Sequence, residues 1–373
     1  MMRTSKNYVN LFARMPALLI SVLLSSCNGL NALLNLNIIS SESSLPSAFG
    51  AVVSQNGIPY LIGGWNESGM TSSVLRVQDC GSIIEVVRES SEWEERSYFP
   101  AIHINNLTYI FGGFQYIPPS NVLGDVWMSP NMTDWDLVAV DPAWEQREAH
   151  GVVFHENEFY LLGGVTYFRP EESFELGKDN PSHLRVFGDV WRSQDGFAWS
   201  NLLENAPWGP RRSFSYAVKD GYIYMWGGVN DERNKNFNDV WRSADGVNWE
   251  QVSRNTAWSP RMLGNHAPIM DERLWVIGGN SDAEKVVALN DVWSSDDGLT
   301  WELMTEDAEF PARHGAFVFT LNCNDKSWIG VYGGINDFHD QDRPDRTFYK
   351  DLWVSKDQGR TWELVEYELK YLD

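Results

Sequence analysis

Six glycine pairs recur along the chain at intervals of about fifty residues, a spacing typical of repeat architectures. They are Gly63-Gly64, Gly112-Gly113, Gly163-Gly164, Gly227-Gly228, Gly278-Gly279 and Gly333-Gly334. Each closes a short apolar run: YLI, YIF, YLL, YMW, WVI or GVY. Runs of this length, punctuated by glycine, read as short antiparallel strands. A second motif follows each pair. It reads DVWMSPNMTDW from Asp125, DVWRSQDGFAW from Asp189, DVWRSADGVNW from Asp239, DVWSSDDGLTW from Asp291 and DLWVSKDQGRTW from Asp351. The first copy is degenerate, SVLRVQDCGSIIEV from Ser73 to Val86. Six units of four strands bury their faces only against one another, so the 373 residues predict one large all-β ring, not two domains.

A Gly-Gly after one strand and a Trp further on resemble kelch repeats, which here span roughly Leu45 to the last residue. The resemblance implies a six-bladed, galactose oxidase-like kelch-type β-propeller with four antiparallel strands per blade. Its blades are expected at about 45–93, 94–144, 145–208, 209–258, 259–310 and 311–373. The turn in the second motif also resembles the Asp-box of sialidases. Ser355, Asp357, Gly359, Thr361 and Trp362 match it, as do Ser294, Asp296, Gly298, Thr300 and Trp301, although the latter copy also reads one residue later. In sialidases that box is a structural turn, so it implies a propeller and not the reaction.

The first residues carry a different pattern. Arg3, Lys6 and Arg14 precede an apolar segment, Ala17 to Leu24, and then Ser25-Ser26-Cys27. A basic start, a short apolar core and small residues before a cut describe an export signal over 1–26, too short for an ordinary spanning helix. Leu24-Ser25-Ser26-Cys27 resembles the lipobox of bacterial lipoproteins. The resemblance implies lipidation of Cys27, a tether over 27–44, and a cell-envelope location. Asn28 is not the Asp linked to inner-membrane retention and so favours the outer membrane. Leu36 to Ser40 is either part of the tether or an added strand of the ring. Export permits a disulfide between the two remaining cysteines, Cys80 and Cys323. Both fall in turns on one face, but Cys323 belongs to an inner hairpin and Cys80 to an outer one, which is expected to hold them apart.

Blade geometry narrows the search for a site. The Asp-Gly turns are tight and alike and read as structural. The opposite face carries the loops that enter each blade, and these share an aromatic residue three before an Arg: Trp93 and Arg96, Trp144 and Arg147, Trp208 and Arg211, Trp258 and Arg261, Phe310 and Arg313. Blade one has Leu45-Pro46-Ser47-Ala48 instead. Arg holds carboxylates bidentately, so these guanidinium groups are either a broken ring around the channel mouth suited to a carboxylate-bearing ligand, or partners for a neighbouring blade's carboxylates and loop carbonyls. At the strand entrances beside them stand Phe49, Phe99, His150, Ser215, His266 and His314. No His pair has the short spacing of a metal site; no metal and no cofactor are expected. The loop from Ile335 to Phe348 groups Asp337, Asp340 and Asp342, without the Gly-turn spacing of a calcium loop.

A formal charge of -22 argues against nucleic acid, whose phosphates need a basic face. The reading that follows is a binding module for a glycan, including an acidic sugar, or for a protein, acting through the face of the entry loops and of the loops between each blade's second and third strands, the b–c loops. The alternative is an enzyme resembling sialic acid mutarotases (N-acetylneuraminate epimerases), an analogy from fold in which nothing selects a catalytic residue. A sialidase is less favoured because no Arg-Ile-Pro motif is present. A copper oxidase is less favoured because the cysteines lie away from the mouth. A purely structural role in an envelope complex is the third class.

Overall fold

A computed structural model describes residues 45–115, 121–168, 183–231, 235–264, 269–281, 287–336 and 347–372. The expected signal segment, Cys27 and tether lie outside these residues. Six sheets of three to five described strands, antiparallel but for one strand, are arranged as a six-bladed β-propeller, with three further two-stranded ladders in the loops. Blade two shows the pattern: Ala101–Ile104, Leu107–Gln115, Asn121–Ser129 and Asp136–Ala139 pair in sequence order. Blade five shows three described strands, and its innermost stretch includes the undescribed residues 265–268. The inner hairpins turn on two residues with positive φ, such as Asn56-Gly57 and Asp220-Gly221. Asn, Asp and Gly tolerate that conformation, and it matches the twist of the flanking strands.

The core lies between blades. Six apolar clusters each combine two neighbouring sheets, including one that joins blades six and one through Leu61, Leu75, Phe319, Tyr332 and Leu352. Five seams contain an edge-to-face aromatic pair linking the entry loop to the later turn: Trp93–Trp135, Trp144–Trp199, Trp208–Trp249, Trp258–Trp301 and Phe310–Trp362. Such pairs contribute about 0.5–1.5 kcal/mol beyond the area they bury.

The glycine pairs allow the blades to approach. At every seam the second glycine donates its N–H across the gap: Gly64 to the Arg96 carbonyl, Gly113 to Arg147, Gly164 to Arg211, Gly228 to Arg261, Gly279 to Arg313, and Gly334 to Ser47. Gly278 and Gly279 have φ of 60° and 102°, and a Cβ there would lie 2.8 Å from the Arg313 oxygen and 2.7 Å from the Met262 oxygen. Only glycine fits.

The later turns are built from side chains. In blade four the Gly246 N–H donates to Ser243 Oγ at 2.9 Å, and the Val247 and Asn248 N–H groups donate to Asp245 Oδ1 at 2.9 and 2.7 Å. Burial works to raise the Asp245 carboxyl. The hydrogen bonds from Asn248, Val247 and Ser243 outweigh it and hold the group at about 2. In blade five the turn takes the later of the two readings: Ser295 and Asp297 make these bonds, while Asp296 faces Arg273 at 3.1 Å.

The sequence does not say how the ring closes. Glu363–Val365 is the outer strand of the last blade, as the run from Trp362 suggests, but the expected blade of 311–373 does not keep its final residues: Glu368–Tyr371 crosses to blade one and pairs in parallel with Ile83–Arg88. Cys80 and Cys323, expected to be held apart, form a disulfide, with Cα atoms 5.4 Å apart. The inner strand of blade six, Phe317–Cys323, is seven residues long, against five for Ala51–Gln55, and carries its turn further out. The outer turn of blade one leans over blade six, where Gly81 packs beside Leu352 and Leu321.

Candidate functional site

The five repeated arginines are at most 2% exposed. Arg147 Nη1 donates to Asp189 Oδ1 at 2.7 Å and to the Gly163 carbonyl at 2.9 Å, Nη2 donates to Asp189 Oδ2 at 3.0 Å, and Nε donates to the Glu145 carbonyl at 2.9 Å. Arg96–Asp125, Arg211–Asp239, Arg261–Asp291 and Arg313–Asp351 repeat the bidentate pair. The Asp that opens each DVW or DLW motif is thus the partner. It also accepts the indole N–H of that motif's Trp at 2.7–2.8 Å. Aromatic rings lie against at least four of the guanidinium groups: Phe187 against Arg147 and Phe237 against Arg211, both at 3.9 Å, Tyr349 against Arg313 at 4.2 Å, and Trp93 against Arg96 at 5.7 Å. Of the two readings that the sequence left open, the arginines follow the second: they are enclosed and paired with carboxylates and loop carbonyls and do not ring the mouth, but each carboxylate belongs to the same blade, not a neighbour. Blade one lacks the whole clamp. Ser47 stands at the arginine position, as the Gly334 bond shows, with Ser73 for the Asp and Leu75 for the Trp. The expected equivalence with Ala48 is therefore one residue out.

The histidines do not form a set. His150 is fully buried beside Trp144, with ring centroids 5.8 Å apart, in the place that Phe99 and Phe214 take beside Trp93 and Trp208. Neither ring nitrogen has a hydrogen-bond partner among the described residues. Burial, helped by Arg147, pushes its pKa well down. The residue at that entrance in blade four is Phe214 and not Ser215, which begins the strand. His314 sits two positions earlier, paired through its backbone with Ile335. His266, like the Asp337, Asp340 and Asp342 group, lies outside the described residues. Among the described residues no group of three His, Cys, Asp or Glu is placed to hold a metal.

His150 carries a prediction. A histidine whose folded pKa is depressed favours folding above its ordinary value near 6.5, and that contribution is lost as pH falls below it, because the unfolded chain takes up the proton. Between pH 7.5 and 5, the melting temperature of His150→Phe should therefore fall less than that of the parent. Parallel melts at the two pH values check this, and equal falls would refute it.

The residues directly after the clamps are where the six-fold pattern breaks. They are Ala48, Ser97, Glu148, Arg212, Met262 and His314, each joined by a bridge to the strand or loop beyond its glycine pair or, in blade five, through Asn280. Next inward is the channel lip. There the N–H of Tyr98 donates to Phe49, Ala149 to Tyr98, Ser213 to Ala149, Leu263 to Ser213 and Phe49 to Gly315, at 2.7–2.9 Å.

The lip has two unlike sides. On one, Phe49 and Tyr98 stack with centroids 4.4 Å apart and planes at 28°, with Trp65 edge-on at 6.0 and 6.4 Å and His314 at 5.3 Å from Phe49. On the other, Arg212 Nε and Nη2 donate to Asp231 at 2.5 and 2.7 Å, and Nη1 reaches Ser213 Oγ at 3.3 Å. Burial opposes the Arg212 charge, but Asp231 and then Glu148 outweigh it and raise its pKa. The Tyr167 hydroxyl is raised by burial and by Glu148, to which it is hydrogen-bonded. Sequence reading passed over Tyr98, Glu148 and Arg212, and placed Tyr167 only as a member of the long third-blade loop from Thr166 to Val186 on this face. The available signal was the change of chemistry immediately after each repeated arginine.

Residues 222–353, from the second strand of blade four into the third strand of blade six, match the DUF6242 beta propeller domain. The chain matches no curated protein. Over that stretch the chain is similar to a family described by its fold, which is the fold found here.

Proposed function

We propose that this chain is an exported propeller of kelch type, anchored in the cell envelope by a lipid on Cys27, whose mouth binds a glycan or protein partner. The lipobox-like Leu24 to Cys27 supports the anchor. The observation that carries the binding role is the mouth itself. On a scaffold whose glycine pairs recur in every blade and whose clamps recur in five, the lip residues change from blade to blade and set an aromatic side against an ionic one. A rigid ring presenting varied residues at one face is how binding sites are carried on repeat scaffolds.

A thermal-shift screen of the purified protein against envelope glycans and envelope proteins tests the proposal. A ligand that binds only the folded state raises the melting temperature, by an amount that grows with its concentration over Kd. Binding at the mouth predicts a rise with at least one ligand, reduced in Tyr98→Ala and in Arg212→Ala. Shifts that survive both substitutions would place the site elsewhere.

The mutarotase reading retains one supporting observation: Glu148, Tyr98 and Arg212 share the lip, so an acid–base group and a cation stand together. Its original motive, a ring of open arginines for a carboxylated sugar, is no longer available.

A further inference from the structure

We infer that the face opposite the mouth is a docking surface for a protein segment that carries basic and apolar side chains. It is separate from the mouth and does not depend on the reading given for it. The face is formed by the inner hairpin turns and the later turns of the blades, and every one of these turns lies within the described residues. At its rim, where the end of blade two meets the later turn of blade three, is a groove of 580 Å³. Asp141 and Pro142 line it on the blade-two side, and Glu158, Arg192, Asp195 and Phe197 on the blade-three side.

Apolar side chains stand on this face without a folding reason. The Phe197 N–H donates to Asp195 Oδ1 at 3.0 Å, so the turn uses the backbone of that residue and leaves its side chain outside. Thr133 and Arg360 hold the same place in blades two and six. Blades three, four and five nevertheless place Phe197, Val247 and Leu299 there in succession, 41%, 40% and 58% exposed. Val140, 66% exposed, directly precedes Asp141 of the groove. Apolar residues scattered singly over a surface need no explanation, but a row of them on one face of a rigid scaffold marks a contact surface.

The charge around that row selects the partner. In the groove three carboxylates meet one guanidinium, and Arg192 stands 3.4 Å from Glu158. Burial works to raise the Asp195 carboxyl, but the Ala198 and Phe197 N–H groups and Ser193 outweigh it and hold the group below its usual range. Those donors all reach Oδ1, and Oδ2 accepts from no described residue. The inner turns of blades three and five add Glu156, Asp271 and Glu272, all exposed. Arg242 and Arg273, which border the turns of blades four and five, are already committed to Glu250 and to Asp296 and Glu302. A second copy of the chain would set these carboxylates against one another, and an anionic membrane would be repelled by them. A basic segment meets both demands: its Lys or Arg side chains complement the carboxylates, and its apolar side chains cover the row of turn tips.

The test titrates the full chain with short synthetic peptides in which Lys alternates with Leu, with their Glu-for-Lys counterparts, and with vesicles of phosphatidylcholine with and without phosphatidylglycerol. Calorimetry and hydrogen exchange provide the readouts. The Lys–Leu peptides should bind and protect the turns at 193–199, 243–249 and 295–301, while the Glu–Leu peptides and both vesicles should not bind. Joint replacement Phe197→Ser, Val247→Ser and Leu299→Ser should weaken this binding by about tenfold or more. Asp141→Asn with Glu158→Gln should weaken it and flatten its salt dependence. Both variants should keep the parent melting temperature. Glu67→Gln with Glu89→Gln, which removes the same number of charges from the mouth side, should leave the binding unaltered, as should Tyr98→Ala. Equal weakening by the Glu67 and Glu89 pair would reduce the effect to bulk charge, and loss in Tyr98→Ala would move the peptides to the mouth; either overturns the inference. So would vesicle binding, no peptide binding, or self-association abolished by the triple replacement, which would give the face to a second copy.

Discussion

Arg147→Ala should lower the stability of the propeller by about 3–5 kcal/mol, the usual cost of stripping one partner from a buried ion pair. The substitution strips the Asp189 carboxylate, on a residue 8% exposed in the parent, of its guanidinium, with the Trp191 indole as its remaining side-chain donor, and removes the bond to the Gly163 carbonyl. Most of the loss comes from the stranded carboxylate, so Arg147→Leu combined with Asp189→Leu should be more stable than Arg147→Leu alone. Chemical denaturation of the three variants measures this. The clamp role fails if Arg147→Ala melts with the parent but no longer binds the ligand found in the screen. That outcome would return the arginines to the mouth.

The second large effect concerns Cys80 and Cys323. They are 243 residues apart in sequence, so their bond closes most of the ring. Removing a native disulfide from a small secreted domain typically costs about 2–5 kcal/mol, and the entropic part grows with loop length. Cys80→Ser, Cys323→Ser and the reduced parent should all melt lower than the oxidised parent, and by similar amounts. A reductant that leaves the melting temperature unchanged would show that the bond adds nothing to closure. The bond sits against the one blade without an Arg–Asp–Trp clamp, where the parallel strand Glu368–Tyr371 also attaches. Blade one is therefore held from outside by contacts that the other blades do not use.

What was legible in the sequence followed from local rules. Glycine pairs, Asn-Gly and Asp-Gly turns and the Ser-x-Asp turns act over a few residues, so strands, faces and blade number could be read directly. The clamp partner could not. Arg147 and Asp189 are 42 residues apart while Arg211 and Asp239 are 28 apart, because the intervening b–c loops differ in length. The joint replacement by Ser47, Ser73 and Leu75 in blade one was visible, but it had meaning only once pairing had set the register. The lip was hidden for a related reason. Glu148 reads as an ordinary surface glutamate until the backbone belt turns it inward beside Tyr167 and Arg212.

The parallel strand at Glu368–Tyr371 has a kinetic side. Its pairing with Ile83–Arg88, the Cys80–Cys323 bond and the Gly334–Ser47 hydrogen bond all join residues made early to residues made late. Contacts of such long sequence separation form slowly, because much chain entropy must be lost before they contribute. Blades two to five can assemble on neighbours already synthesised, but the ring stays an open arc until its last strand has been made. Until then the apolar seam between blades six and one is uncovered, which makes the growing chain most prone to association just before completion.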